Sequence, residues 1–304
     1  MRSSTRSSSV LALYGPTASG KTAVAKALVD RVGGEVVSAD SAALYADVPV
    51  VTAVPDYPVR LVGVVPLERE VSVGEYARLA HGAIDEILAG GRTPIVAGGT
   101  GLYLRAALAE LELPPAPKPG ARERWGALYD DRGSEAAHAL LAERDPAAAA
   151  RVHPNDRRRV VRALELAEVG ASLAPPEDRL WGDAFRRPTL LIGLDLAVDE
   201  LDRRIEGRVE HMVALGAAAE ASAAWGRELS STARKVLGLE EFATLPLEEA
   251  VPAVVAATRR LARYQRKWLR RLPVAATLDA SRPPEEIADE IVALAGARER
   301  VPDR

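Results

Sequence analysis

Gly15-Pro16-Thr17-Ala18-Ser19-Gly20-Lys21-Thr22 has the spacing of a phosphate-cradling loop, G-x-x-x-x-G-K-[ST]. The glycines let successive backbone N–H groups turn toward one anion, and the helix opening at Gly20 adds its positive end. Lys21 supplies a point charge, and the Thr22 hydroxyl can ligate Mg²⁺. The loop reads as a site for a pyrophosphate-type ligand without revealing which compound. The N-K-x-D marker of guanine-nucleotide selection is missing. Asp40 closes the apolar run Val36-Val37-Ser38-Ala39, and a carboxylate at the carboxyl end of a strand lies in the ligand crevice of such sheets. By type and place alone, Asp40 fits a metal carboxylate or a helix N-cap, and Ser41 a cap.

These groups need a frame. Val10–Tyr14, Glu35–Ser38, Arg60–Val65 and Thr93–Ala97 read as strands, and Gly20–Val32, Glu75–Ala89 and a stretch from Leu102 as helices. Such alternation implies a mostly parallel sheet covered by helices on both faces. The rhythm breaks at Leu113–Gly120, where four prolines in eight residues form a stiff connector. Arg122 to Gly170 is helical in pattern, and Ala174 to Pro188 is irregular. Leu190–Leu196 returns to strand, followed by helices over Asp199–Leu215, Ala217–Leu229 and Leu247–Leu272, a last strand at Val274–Leu278 and a helix from Pro284. We therefore expect an α/β core over 10–112 and 189–304, interrupted by an α-helical insertion over 113–188, after a disordered tail at 1–9.

The 304 residues are 48% hydrophobic and 27% charged, which excludes a mainly disordered chain. The absence of cysteine excludes a disulfide framework, a thiolate zinc site and a cysteine nucleophile. No stretch approaches a signal-peptide core or membrane span, so a cytoplasmic protein without a membrane partner is expected. The net charge of −3 exerts no global pull on nucleic acid, so a polyanion site must be a local patch. Two patches stand out. Thr258 to Arg271 holds seven cations in fourteen residues, interleaved with Tyr264 and Trp268. Arg259, Arg263, Arg266 and Arg270 share a face at helical spacing. Arg157-Arg158-Arg159 with Arg162 forms the second run. Each fits phosphate binding or a solvated basic face.

Taken together, these residues resemble one family, the bacterial tRNA dimethylallyltransferases or tRNA isopentenyltransferases. The loop at 15–22 is similar to the one that grips dimethylallyl diphosphate there in place of ATP. Ser38-Ala39-Asp40-Ser41-Ala42-Ala43-Leu44-Tyr45 resembles the family's Asp-Ser segment, and Val96-Ala97-Gly98-Gly99-Thr100-Gly101-Leu102-Tyr103 its second glycine motif. Val152-His153-Pro154-Asn155-Asp156 with Arg159, Arg162 and Glu165 resembles the insertion signature. Arg204, Arg208 and Met212 follow in family order, then Thr258-Arg259, Gln265, Trp268 and Arg270.

The resemblance implies a P-loop NTPase-like fold and transfer of a dimethylallyl group to N6 of adenosine 37, beside the anticodon, in tRNAs reading codons that begin with U. It implies Asp40 as general base and metal ligand, with Thr22 holding Mg²⁺. Gly15, Pro16, Thr17, Ala18, Ser19, Gly20 and Lys21 would hold the diphosphate, Thr100 the reacting nucleotide and Arg208 the leaving group. The tRNA anticodon arm would meet Asp40, Ser41, Ala42, Ala43, Thr100, Asp156, Arg157, Arg158, Arg159, Arg162, Arg234, Arg259, Arg263 and Arg266. The target base would be flipped out, and the enzyme would act as a monomer. Val50–Pro55 departs from the family pattern and lacks its lysine, and Leu239, Tyr264 and Lys267 also differ. Three alternatives share part of the pattern: an isopentenyltransferase acting on free adenine nucleotides, a P-loop small-molecule kinase, and an RNA-binding homologue without catalysis.

Overall fold

Short apolar runs rich in Val, Ile and Leu build one parallel sheet, because strands buried on both faces need no alternation of polar residues. In the computed structural model, which describes residues 9–111, 115, 117–174 and 180–298, the strands are β1 (Val10–Tyr14), β2 (Glu35–Ser38), β3 (Val59–Arg60), β4 (Pro94–Gly98), β5 (Thr189–Asp195) and β6 (Ala276–Asp279). Their order across the sheet is β3-β2-β4-β1-β5-β6, with every pairing parallel. This is the α/β architecture expected from the sequence. The helices are α1 (Lys21–Val32), α2 (Val73–Ala89), α3 (Gly101–Leu108), α4 (Ala121–Arg144), α5 (Pro146–Ala149), α6 (Arg157–Ala167), α7 (Val198–Ala214), α8 (Ala217–Trp225), α9 (Leu239–Thr244), α10 (Leu247–Leu269) and α11 (Pro284–Arg298).

The chain forms two compact units, Met1–Glu110 with Leu180–Arg304, and Leu111–Arg179. In the larger unit α1 packs against α11, α2 against α3, and α7 against α10. Residues 180–188, expected with the insertion, have their partners in this unit. The Trp181 ring lies 4.6 Å from that of Trp268, the Arg271 guanidinium sits 3.5 Å over Trp181, and Arg186 N–H bonds the Leu108 carbonyl at 2.8 Å. The smaller unit closes its own core from Ala137, Leu141, Ala148, Val152, Val160, Ala163 and Leu164, with Trp125 and Tyr129 packed against it. There α4 is two helices meeting at Gly133, whose φ of 81° and ψ of 167° are not helical.

One expected strand is shorter than read, and one helix is additional. The strand read over Arg60–Val65 stops at Arg60, because Leu61 (φ 63°) and Gly63 (φ 62°) turn left-handed and leave the ladder. Val65 makes only an isolated bridge to Tyr45. The short α9 was not expected. The tail residues 1–8, and residues 112–114, 116 and 175–179 of the two irregular stretches, lie outside the described residues. Among the described residues no helix is long and apolar enough to cross a membrane.

Candidate active site

Sheet register brings three loops to one level. Tyr14 pairs with Gly98 and Ser38 with Ala97, so the turns after β1, β2 and β4 leave the sheet side by side at its carboxyl edge. The phosphate loop follows β1. Gly20 has φ 84°, a left-handed conformation that L side chains rarely adopt, and α1 begins at the next residue. Ser19 is fully buried, and among the described residues its hydroxyl has no hydrogen-bond partner. Lys21 folds back so that its ammonium donates to the Pro16 carbonyl at 2.6 Å.

Asp40 stands at the end of β2. Its carboxylate accepts the Ala42 N–H at 3.0 Å, shaping the turn through Ser41. The Thr100 hydroxyl accepts the Ser41 N–H at 3.2 Å and lies 3.3 Å from the Ser41 hydroxyl. Thr100 N–H in turn bonds the Ala39 carbonyl at 3.3 Å. The Asp-Ser turn and the second glycine turn are therefore stitched together beside the phosphate loop.

Charge converges on the same place. Burial lowers the Lys21 pKa from 10.5 to about 7, the nearby Arg208 cation pushes in the same direction, and Asp40 opposes both. Arg208, on α7, is likewise lowered by burial and raised by Asp40. Two basic side chains and one carboxylate thus act on one another at the phosphate loop. Burial also raises the Tyr103 hydroxyl to about 12, with Tyr45 and Asp40 adding to the shift. Its ring lies 4.2 Å from that of Tyr76.

The expected magnesium ligands are hard oxygen donors, one hydroxyl (Thr22) and one carboxylate (Asp40). That set suits a Mg²⁺ completed by water and ligand phosphate better than a cage built by protein alone. Among the described residues no three His, Cys, Asp or Glu side chains gather for a metal.

The glycines of the second turn serve packing. A Cβ on Gly98 would collide with the Ala39 carbonyl, one on Gly99 with the Gln265 amide, and one on Gly101 with the Trp268 ring. The turn is a seat for β2 on one side and for α10 on the other. Gln265 lies among the arginines of α10 in sequence but is buried, and its residue type alone pointed to no role. Besides its place in the family order, sequence held a local signal: Gln265 interrupts the stripe Val254, Thr258, Ala262, Leu269 as its one amide, and all five are buried. Tyr57 carried no signal in the sequence. Its hydroxyl donates to the Thr22 carbonyl at 2.8 Å.

The basic runs separate into paired and exposed cations. Arg259 bridges Asp202 at 3.3 Å and Glu206 at 2.5 Å, and Arg266 bridges Asp195 at 2.9 Å. The face expected to join Arg259, Arg263, Arg266 and Arg270 therefore splits, because acidic side chains of α7 and β5 occupy two of its members. Arg263 is exposed and, like Arg260, Lys267 and Arg270, has no ion pair among the described residues. Arg234 is exposed over the Trp225 ring, 5.2 Å from its centroid. In the smaller unit Arg157 is held bidentately by Asp130 at 2.7 and 2.6 Å, and Arg162 pairs with the buried Glu165 at 2.8 Å. Arg159 leans toward Asp156 at 3.6 Å, while Arg158 is exposed without an ion pair among the described residues. Asp156 caps α6 by accepting the Arg159 N–H at 3.1 Å.

Comparison with known proteins places this arrangement. A family model described as IPP transferase matches residues 43–272. The tRNA dimethylallyltransferase of Salinispora arenicola (strain CNS-205) is 40% identical over 285 residues, covering 90% of this chain and 82% of that protein. The tRNA dimethylallyltransferase of Anaeromyxobacter dehalogenans (strain 2CP-C) is 44% identical over 272 residues, covering 84% and 90%. The crystal structure of the full-length tRNA isopentenylpyrophosphate transferase of Bacillus halodurans superposes with a TM-score of 0.68 at 30% identity, covering 96% of this chain and 98% of that one. With a motif-bearing parallel sheet, a helical insertion and this degree of likeness, the chain belongs to the IPP transferase family, the family of the tRNA dimethylallyltransferases.

Proposed function

We propose that this protein transfers the dimethylallyl group of dimethylallyl diphosphate to N6 of adenosine 37 in tRNAs that read codons beginning with U. The carrying observation is the electrostatic meeting of Lys21, Arg208 and Asp40 at the phosphate loop. The two cations answer a leaving diphosphate, and the carboxylate answers a proton on the attacking amine.

The allylic C–O bond breaks, its electron pair leaves with diphosphate, and a C–N bond forms to N6. Lys21, Arg208 and the backbone N–H groups of Ala18, Gly20 and Lys21 stabilise the charge that grows on the departing oxygens. Asp40 takes the proton from N6 as the new bond forms. The Thr100 hydroxyl, bonded to the Ser41 amide, orients the nucleotide next to Asp40. Thr22, with Asp40, would hold magnesium, which when bound neutralises diphosphate charge. A stacked adenine presents no free path to N6, so the base must leave its stack before reaction. Exposed cations, Arg263 and Arg158 foremost, hold the RNA backbone and contribute affinity without sequence reading. The reaction takes place in the cytoplasm.

The test is incubation with dimethylallyl diphosphate, Mg²⁺ and unmodified tRNA, in parallel with AMP and with ATP, following diphosphate release and nucleoside mass. A dimethylallyl mass increment on tRNA adenosine alone is expected. Transfer to AMP, ATP turnover without RNA, or RNA binding without diphosphate release would each replace this reading.

A further inference from the structure

Three polar groups of the site region meet on one buried residue of α10. The Gln265 Oε1 accepts the Thr17 N–H of the phosphate loop at 2.7 Å, and its Nε2 donates to the Gly99 carbonyl of the second glycine turn at 3.0 Å. Its backbone carbonyl accepts the hydroxyl of Tyr14, the residue just before the loop, at 3.1 Å. Gln265 is 5% exposed, so water does not compete for these bonds. An amide side chain is needed, because one end must accept and the other must donate. Leu has neither capacity, and an ionised Glu would set a carboxylate oxygen against the Gly99 carbonyl. The absence of a Cβ on Gly99, which would collide with this amide, lets the link be direct.

We propose that Gln265 is a positioning residue for the transfer: its amide fixes the phosphate loop against the turn that carries Thr100, and so sets the distance between donor and acceptor subsites. The inference rests on the dimethylallyl-transfer reading of the same site. It acts through geometry, because a misplacement of about 1 Å between reacting groups costs on the order of 10²-fold in rate.

The variants are Gln265→Leu and Gln265→Glu, purified and compared with wild type in the full chain. Gln265→Leu is expected to lose about 10²-fold in kcat with the KM for tRNA within threefold. Its Thr17 amide is expected to exchange with solvent at least tenfold faster, although the Tm still reports a folded protein. Gln265→Glu keeps the shape and covers the case in which Gln265→Leu does not fold. It is expected to be as impaired as Gln265→Leu at pH 8 and to recover at least tenfold relative to wild type as pH falls toward 6, since a neutral carboxyl again both accepts and donates. A purely structural glutamine would show this pH-dependent rescue in Tm and leave kcat of the folded variants at the wild-type value. Folded variants with wild-type kcat, or a Gln265→Glu profile parallel to wild type, overturn the proposal. Wild type that fails to transfer dimethylallyl would instead remove the reaction itself. Thr17 exchange and binding of inorganic diphosphate with Mg²⁺ would then still test whether the amide pins the loop, and unchanged values in both variants would refute it.

Discussion

Lys21 donates its ammonium to the Pro16 carbonyl at 2.6 Å, across the loop it is meant to serve. The resting site thus holds its lysine on a backbone oxygen, at a pKa of about 7 set first by burial and then by Arg208.

A bound diphosphate raises that pKa by opposite charge, so binding takes up a proton wherever the free lysine is neutral. The free form is protonated below about pH 7 and loses its proton above it. Affinity for Mg²⁺-diphosphate should therefore fall as pH rises through 7 toward 9. Calorimetry at pH 8 in two buffers of different ionisation enthalpy should register close to one proton taken up, and Lys21→Met should abolish it.

Asp40→Ala should lower turnover by about 10²–10⁴-fold, the range for removing a general base. Affinity for diphosphate without Mg²⁺ should hold or improve, since a negative charge facing the loop is gone. A purified variant within threefold of wild-type turnover would reject the role.

Paired and exposed arginines should separate in one experiment. Each phosphate contact removed reduces the slope of log K against log salt by about 1. Arg263→Ala should do so with unchanged Tm. Arg259→Ala should leave the slope alone and instead cost about 0–1 kcal/mol of stability, through its lost pairs with Asp202 and Glu206. Filter binding between about 50 and 200 mM salt, with thermal melts alongside, reads both.

Acid stability should depend on Asp85. Hydrogen bonds from Arg186 and then Arg187 hold this carboxyl down from 3.8 to about 2. The pair ties α2 to the segment entering β5, with bonds of 2.9 Å from each arginine. A depressed carboxyl contributes stability that is full above its unfolded pKa and is lost as pH falls through its folded one. Asp85→Asn should therefore lower urea midpoints at pH 7, with the deficit closing between pH 4 and 2. A deficit unchanged at pH 2 would assign the effect to packing.

Much of the frame was legible because it is written locally. Apolar runs bounded by Gly15, Asp40 and Gly98 gave strands and the turns that carry chemistry, and a parallel sheet then had to bring those turns to one edge. What stayed hidden depends on partners far along the chain. Arg266 reads as a free cation until Asp195 is found 71 residues away, and Arg157 until Asp130 closes on it. Gln265 sits among cations in sequence, and its helical phase alone sends it inward. The end of β3 turns on Leu61 in a left-handed conformation, which no propensity for leucine suggests.

Gly133 divides α4 with a φ, ψ pair open in practice to glycine alone. Beyond that elbow lie Ala137 and Leu141, which plug the smaller unit's interior. One hydrogen atom in place of a methyl group thus decides whether the second arm folds back to complete a core or runs on as a rod with its apolar side wet. The helical module owes its closure to a joint.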